Sequence, residues 1–142
     1  MQHKKPKDAK ALLDSGAGWI YLDVRSEGEF ENCHPEGAWN VPVMHRSPLG
    51  MAPNDDFVAV VRRVFPADAK FVVGCASGVR SVRACELLEA AGFKHLVNME
   101  GGFVGARDPF GGAIPGWAAS GLPVANRAAP ERTYPNLAKS KP

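Results

Sequence analysis

KFVVG at Lys70–Gly74, CASGVR at Cys75–Arg80 and SVRACELLEAA at Ser81–Ala91 form the stretch that decides the fold. The first piece is a short apolar run of strand formers, the pattern of a strand buried on both faces of a parallel sheet. The last piece sets Val82, Cys85 and Leu88, with Ala84, Leu87 and Ala91, on one broad helical face, and Gly92 stops it. A strand, a short loop and an amphipathic helix in that order make one unit of an α/β sheet.

The flanking chain repeats the alternation. Lys7–Ser15 has Ala9, Leu12 and Leu13 near helical spacing, with Gly16 as its stop. Trp19–Val24 (WIYLDV) reads as a buried strand running into Asp23-Val24-Arg25. Ser26 followed by Glu29 is a capping-box pattern that opens a short helix. Ala38–Val41 reads as a short strand halted by Pro42. His45–Pro53, with two prolines and a glycine, reads as loop. Asn54 caps a helix through Phe57, Val60, Val61 and Val64 to Phe65, closed by Pro66. His95–Met99 reads as a further strand, broken by Gly101-Gly102. Helix and strand in turn predict an open, mostly parallel sheet with helices on both faces.

Composition narrows the function. The 142 residues predict one domain with a proper core. No run of 18 apolar residues exists, so no membrane span and no membrane partner are expected. The four lysines of Met1–Lys10 have no apolar stretch behind them, so export is not expected and a cytoplasmic location is. Lys and Arg exceed Asp and Glu by only 17 to 15, too little for a nucleic-acid partner. Arg127, Arg132, Lys139 and Lys141 against Glu131 place the basic surplus in a proline-bearing tail, which reads as flexible. Cys33, Cys75 and Cys85 are an odd number without a CxxC pair, so neither a disulfide framework nor a metal site is expected, and no cofactor.

One cysteine stands apart. In an open α/β sheet, ligands sit beyond the carboxyl ends of the strands, and Cys75 lies there. Gly78 permits a tight bend that turns backbone N–H groups inward, Arg80 adds a cation, and the helix beginning near Ser81 adds its positive end. All three favour a thiolate over a thiol and would cradle an anionic sulfur. No general base is near in sequence, which suits attack on soft sulfur better than acyl transfer. The alternative is a small core residue in a strand-to-helix turn.

With these segments in view, the chain resembles the rhodanese-like domains, specifically the short single-domain sulfurtransferases, from Lys7 to about Val124. VVGCASGVRS at Val72–Ser81 is similar to that family's strand and C-x-x-G-x-R-S loop. Asp23-Val24-Arg25 is similar to its D-V-R strand end. Glu29-Phe30, His34, Gly37-Ala38, Asn40 and Pro42 fit its E-F-x-x-G-H-x-x-G-A-x-N-x-P motif. Asn98–Gly102 fits its G-G turn, and Trp117–Pro123 its closing W-x-x-x-G-L-P. Two departures stand out. Cys33 replaces the glycine before the histidine, and about eleven extra residues lie around Gly105–Gly116.

The resemblance implies a rhodanese-like, five-stranded sheet with a domain over 7–125, an N-terminal extension over 1–6 and the basic tail over 126–142. It implies a sulfurtransferase with Cys75 and Arg80 as catalytic residues. Ala76, Ser77, Gly78, Val79 and Ser81 would form the anion-binding loop. Asp23 and Arg25 would brace that loop, and His34 would tie backbone together or, less in keeping with its turn, donate a proton. Implied donors are thiosulfate, mercaptopyruvate or low-molecular-weight persulfides; implied acceptors are cyanide, thiols or an acceptor protein. A phosphatase or arsenate reductase on the same fold would carry C-x5-R, whereas Cys75 to Arg80 is C-x4-R. A non-catalytic binding module would generally lack the loop cysteine. Arg83 either widens the positive field or is a solvated charge. Cys85 reads as core, and Cys33 as structural or as a partner able to resolve an oxidised Cys75. The insert either walls the pocket or is an inert surface insertion.

Overall fold

The computed structural model describes residues 1–139. Five strands form one sheet in the spatial order Gln2–Lys4, His95–Met99, Lys70–Gly74, Trp19–Asp23, Trp39–Asn40, and every neighbouring pair is parallel. The central register pairs Tyr21 with Val72 and Asp23 with Gly74, so the strand ends bearing Asp23 and Cys75 lie side by side.

Side-chain alternation divides the core in two. Leu22, Phe71 and Val73 face one side, where they pack with α3 (Phe57–Val64), α4 (Val79–Ala90) and α5 (Tyr134–Lys139). Tyr21, Val72 and Val97 face the other, against Ala9 of α1 (Pro6–Leu13) and Phe30 of α2 (Glu27–Asn32), with Phe103 and Trp117. The expected α/β architecture with helices on both faces is present. The Ser26–Glu29 capping box also forms as expected at the start of α2. No helix among the described residues is long and apolar enough to cross a membrane.

Four expectations need correction. Gln2–Lys4, expected in an extension before the domain, is the edge strand of the sheet and pairs with Val97–Met99. His45–Pro53, expected as loop, lies in an antiparallel hairpin of Met44–Ser47 with Gly50–Pro53. Its prolines do not prevent pairing because Pro48 sits in the turn and Pro53 ends a strand. Asn54 does not cap α3 directly. Its Oδ1 accepts from the Asp56 N–H, while Nδ2 donates to the Pro42 carbonyl at 2.8 Å and to Tyr134 Oη at 3.1 Å.

The basic tail is the fourth. Residues 126–139 are docked, with a 3-10 turn at Pro130–Arg132 and then α5, and Tyr134 and Leu137 enter the core beside α3. Residues 140–142, which include Lys141, lie outside the described residues. Leu137 is 3% exposed, so Leu137→Ala is expected to lower the unfolding free energy by about 2–3 kcal/mol in urea titration. An unchanged midpoint would return the tail to the flexible role read from its composition.

Candidate active site

Cys75 follows the last residue of the central strand and begins a loop that ends in the first turn of α4. Gly78 has φ +100°, a left-handed conformation that favours glycine. That bend aims the Gly78 N–H back at the sulfur, 3.0 Å from Cys75 Sγ. The thiol in turn donates to Ser81 Oγ at 3.4 Å, and Ser81 donates to Asn98 Oδ1 at 2.5 Å. Cys75 is only 1% exposed, so it lies on the floor of the loop. Ala76 and Gly78 are half-buried above it, and Ser77 and Val79 are exposed at the rim.

The loop is held from behind by the chain after Gly101-Gly102. The Phe103 N–H donates to the Cys75 carbonyl at 2.7 Å, and the Val104 N–H to that of Ala76 at 2.9 Å. Phe103 also sits under the Arg25 guanidinium, 4.4 Å from its ring centre. Arg25 is 4% exposed and binds Asp23 through Nε and Nη2, at 3.0 and 2.7 Å. Its Nη2 also donates to the Cys33 carbonyl at 2.7 Å. Asp23 and Arg25 therefore brace the loop indirectly, through Phe103 and the turn at Cys33. His34 is buried, stacked on Phe30, with Nδ1 2.7 Å from the Phe30 carbonyl. That is the backbone-tying position; the ring is engaged within α2 and its exit.

Arg80 departs from expectation. Its guanidinium makes a two-pronged ion pair with Glu29, at 2.7 and 2.9 Å, and its charge is directed there rather than left free for a sulfur anion. The capping box is the reason. Ser26 N–H and Oγ fix Glu29 Oε1 at the start of α2, facing the first turn of α4. The Gly78 N–H and the N-terminal end of α4 face the sulfur directly, while Arg80, hydrogen-bonded to Glu29, acts on Cys75 only through space.

Arg80 holds the Glu29 carboxyl down to about 2 from its ordinary 4.5, with the Ser26 hydrogen bonds adding to the effect. A carboxylate depressed on folding stabilises the protein above its unfolded value, and that stability is lost as pH falls through the folded value. Urea midpoints are therefore expected to drop faster between pH 4.5 and 2 in the wild type than in Glu29→Gln. The lost contribution is on the order of 1–2 kcal/mol, the pair being partly screened by solvent. Parallel pH profiles for the two proteins would show that the pair does not couple to folding.

A loop of this length, opened by a strand-end cysteine and closed by an arginine in a helix's first turn, agrees with the family comparison. The family model described as Rhodanese-like domain matches residues 5–108. The chain belongs to the rhodanese-like domain family. It is 43% identical over 109 residues to Thiosulfate sulfurtransferase 16, chloroplastic, of Arabidopsis thaliana, covering 76% of this chain and 81% of that one. It is also 43% identical over 99 residues to Thiosulfate sulfurtransferase 18 of the same plant, covering 68% and 71%. Among solved structures, Rv0390 from M. tuberculosis aligns over 89% of this chain and 98% of its own, at 29% identity and a TM-score of 0.73. These relatives make the family a sulfurtransferase family.

The rhodanese-like frame sorts the remaining candidates. Cys85 is 0% exposed and burial pushes its thiol up to about 12, so it is an inert core residue. Cys33 is half-buried at the end of α2, and all three cysteines are free. Arg83 is exposed. The insert is a small antiparallel hairpin of Gly105–Arg107 with Ala113–Pro115. Its base touches the active loop, since the Gly105 N–H reaches the Ala76 carbonyl at 3.3 Å. Its tip stands in solvent, with Phe110 at 97% exposure and Arg107 donating to the hairpin's own Gly111 carbonyl. The insert thus buttresses the loop at one end and leaves the other end free.

Neither Glu29 nor Asn98 stands out in the sequence as a residue that touches the active loop. His45 and Arg46 line a cleft of about 470 Å³ with Ser26, Gly28, Glu29 and Asn32, next to the Glu29–Arg80 pair rather than over Cys75. The capping box is the local signal that points to Glu29, because it fixes the direction of that side chain.

Proposed function

We propose that the protein moves a sulfane sulfur from a small donor to a thiophilic acceptor through a persulfide on Cys75. The observation that carries the reading is the Cys75 sulfur at a strand end, facing the Gly78 N–H at 3.0 Å and the N-terminal end of α4. Such a setting stabilises an anionic sulfur before and after it gains a second sulfur atom.

In the first half-reaction the Cys75 thiolate attacks the outer sulfur of the donor. A sulfur–sulfur bond forms to Cys75, the bond between that sulfur and the donor remainder breaks, and the electron pair leaves with the remainder. In the second, cyanide or a thiolate attacks the outer persulfide sulfur, and the electron pair returns to Cys75 as thiolate. Neither half needs a metal or cofactor. A phosphate-sized oxyanion is disfavoured by the four residues between Cys75 and Arg80.

Two features shape donor choice. Cys75 is 1% exposed, so only a slender terminal sulfur reaches it. Arg80 is neutralised by Glu29, and Ala76 and Ser77 carry no charge. A low-molecular-weight persulfide is therefore favoured over dianionic thiosulfate, by about tenfold in kcat/KM. A panel of donors assayed with cyanide as common acceptor tests both points. Parallel double-reciprocal lines with the persulfide leading are expected. Intersecting lines would remove the covalent intermediate, and thiosulfate leading would remove the donor assignment.

A further inference from the structure

Ser81 and Asn98 are buried, at 0% and 3% exposure, and join Cys75 to the edge strand in one line of hydrogen bonds. The Cys75 thiol donates to Ser81 Oγ at 3.4 Å, the Ser81 hydroxyl donates to Asn98 Oδ1 at 2.5 Å, and Asn98 Nδ2 lies 3.2 Å from His3 Nδ1. His3 stands at the exposed end, on the strand Gln2–Lys4.

The direction of this line depends on the state of the sulfur. A hydroxyl has one proton to donate. Here Ser81 directs it at Asn98 and turns a lone pair toward Cys75. That suits a thiol, which has a proton to give. It opposes a thiolate or a persulfide anion, which can only accept. Reversing the line removes the conflict. Asn98 rotates its amide, so that Nδ2 donates to Ser81 Oγ and Oδ1 faces His3. Ser81 then donates to the sulfur. His3 completes the change by carrying its ring proton on Nδ1 instead of Nε2. A neutral imidazole can accept at Nδ1 in one tautomer and donate there in the other. Because His3 is exposed, its ring exchanges protons with water.

We propose that Asn98 and His3 are positioning residues for sulfur transfer, forming a reversible hydrogen-bond line that lets Ser81 accept from the Cys75 thiol and donate to the anionic sulfur that replaces it. The inference rests on the sulfur-transfer reading of Cys75. The proton that leaves Cys75 goes to solvent or to the departing donor remainder, and the line itself changes tautomer without changing charge. In this role neither residue touches the donor, so the effect falls on kcat and not on KM.

The test compares His3→Leu, His3→Gln and Asn98→Asp in the full chain. Two measurements are made: steady-state transfer to cyanide, and alkylation of Cys75 by iodoacetamide at neutral pH, which needs no sulfur donor. His3→Leu removes the end of the line from an exposed edge and is expected to lower kcat and the alkylation rate about fivefold at unchanged KM. His3→Gln, whose amide either accepts or donates, is expected to restore most of both rates. Asn98→Asp can only accept, holds the Ser81 proton away from the sulfur, and is expected to cost about tenfold. Wild-type rates in His3→Leu, an effect on KM alone, or no rescue by glutamine would each overturn the proposal. Should wild-type Cys75 alkylate normally but never take up sulfur, the sulfur-transfer reading fails while the alkylation comparison still decides the line.

Discussion

Cys75→Ser is expected to lower sulfur transfer by about a thousandfold or more while leaving the unfolding midpoint nearly unchanged. The substitution exchanges one atom at a residue only 1% exposed, and the smaller oxygen still fits beneath the Gly78 N–H. The chemistry does not survive, because a serine hydroxyl is scarcely ionised at neutral pH and cannot hold a persulfide. Thiocyanate formation from cyanide, beside a urea titration, checks both halves of the statement. Turnover comparable to wild type would move the nucleophile to Cys33, since Cys85 is fully buried with its thiol pushed up to about 12.

Gly102→Ala is expected to have the next largest effect. Gly102 has φ +60°, and a Cβ there would lie 2.5 Å from both the Cys75 carbonyl oxygen and the Ala76 carbonyl carbon. Those neighbours are backbone and cannot rotate away. Relief requires separating the Gly101-Gly102 turn from the loop, which breaks the Phe103 N–H to Cys75 carbonyl bond of 2.7 Å. A loop displaced by about 1 Å is expected to lower kcat about a hundredfold. The strained backbone and lost contacts together lower stability by about 3 kcal/mol. Gly111→Ala is the control. Gly111 also has positive φ, +83°, but nothing lies within 4 Å of its Cβ position, so it carries backbone strain without collision. It is expected to lose about 1 kcal/mol and keep wild-type kcat. Equal losses of kcat in both variants would show that the contact behind Cys75 does not set the rate.

Much of this molecule is legible in its sequence, for identifiable reasons. Lys70–Gly74 and Trp19–Asp23 read as strands because their apolar runs are buried on both faces of the sheet. The Ser26–Glu29 capping box reads correctly because it is local. The missed features depend on partners far along the chain. Gln2–Lys4 is polar and three residues long, and only pairing with Val97–Met99 makes it a strand. The tail docks through Tyr134 and Leu137, two apolar side chains in a basic, proline-bearing segment whose composition points the other way. Arg80 reads as a cation in the loop, yet it hydrogen-bonds a carboxylate 51 residues away. The line from Cys75 to His3 ends in a contact spanning 95 residues, and no spacing rule reaches that far. The insert was legible as extra chain, but not as a hairpin whose base supports the loop while Phe110 stands in solvent.

Mass spectrometry of the isolated intermediate decides whether Cys75 carries the sulfur between donor and acceptor. The protein is mixed with a persulfide donor without acceptor, freed of small molecules, weighed intact and then mapped by peptide. A gain of one sulfur atom is expected on the peptide holding Cys75, removed by cyanide with release of an equal amount of thiocyanate. No gain in mass, or a gain residing on Cys33 with Cys75 unmodified, would contradict it.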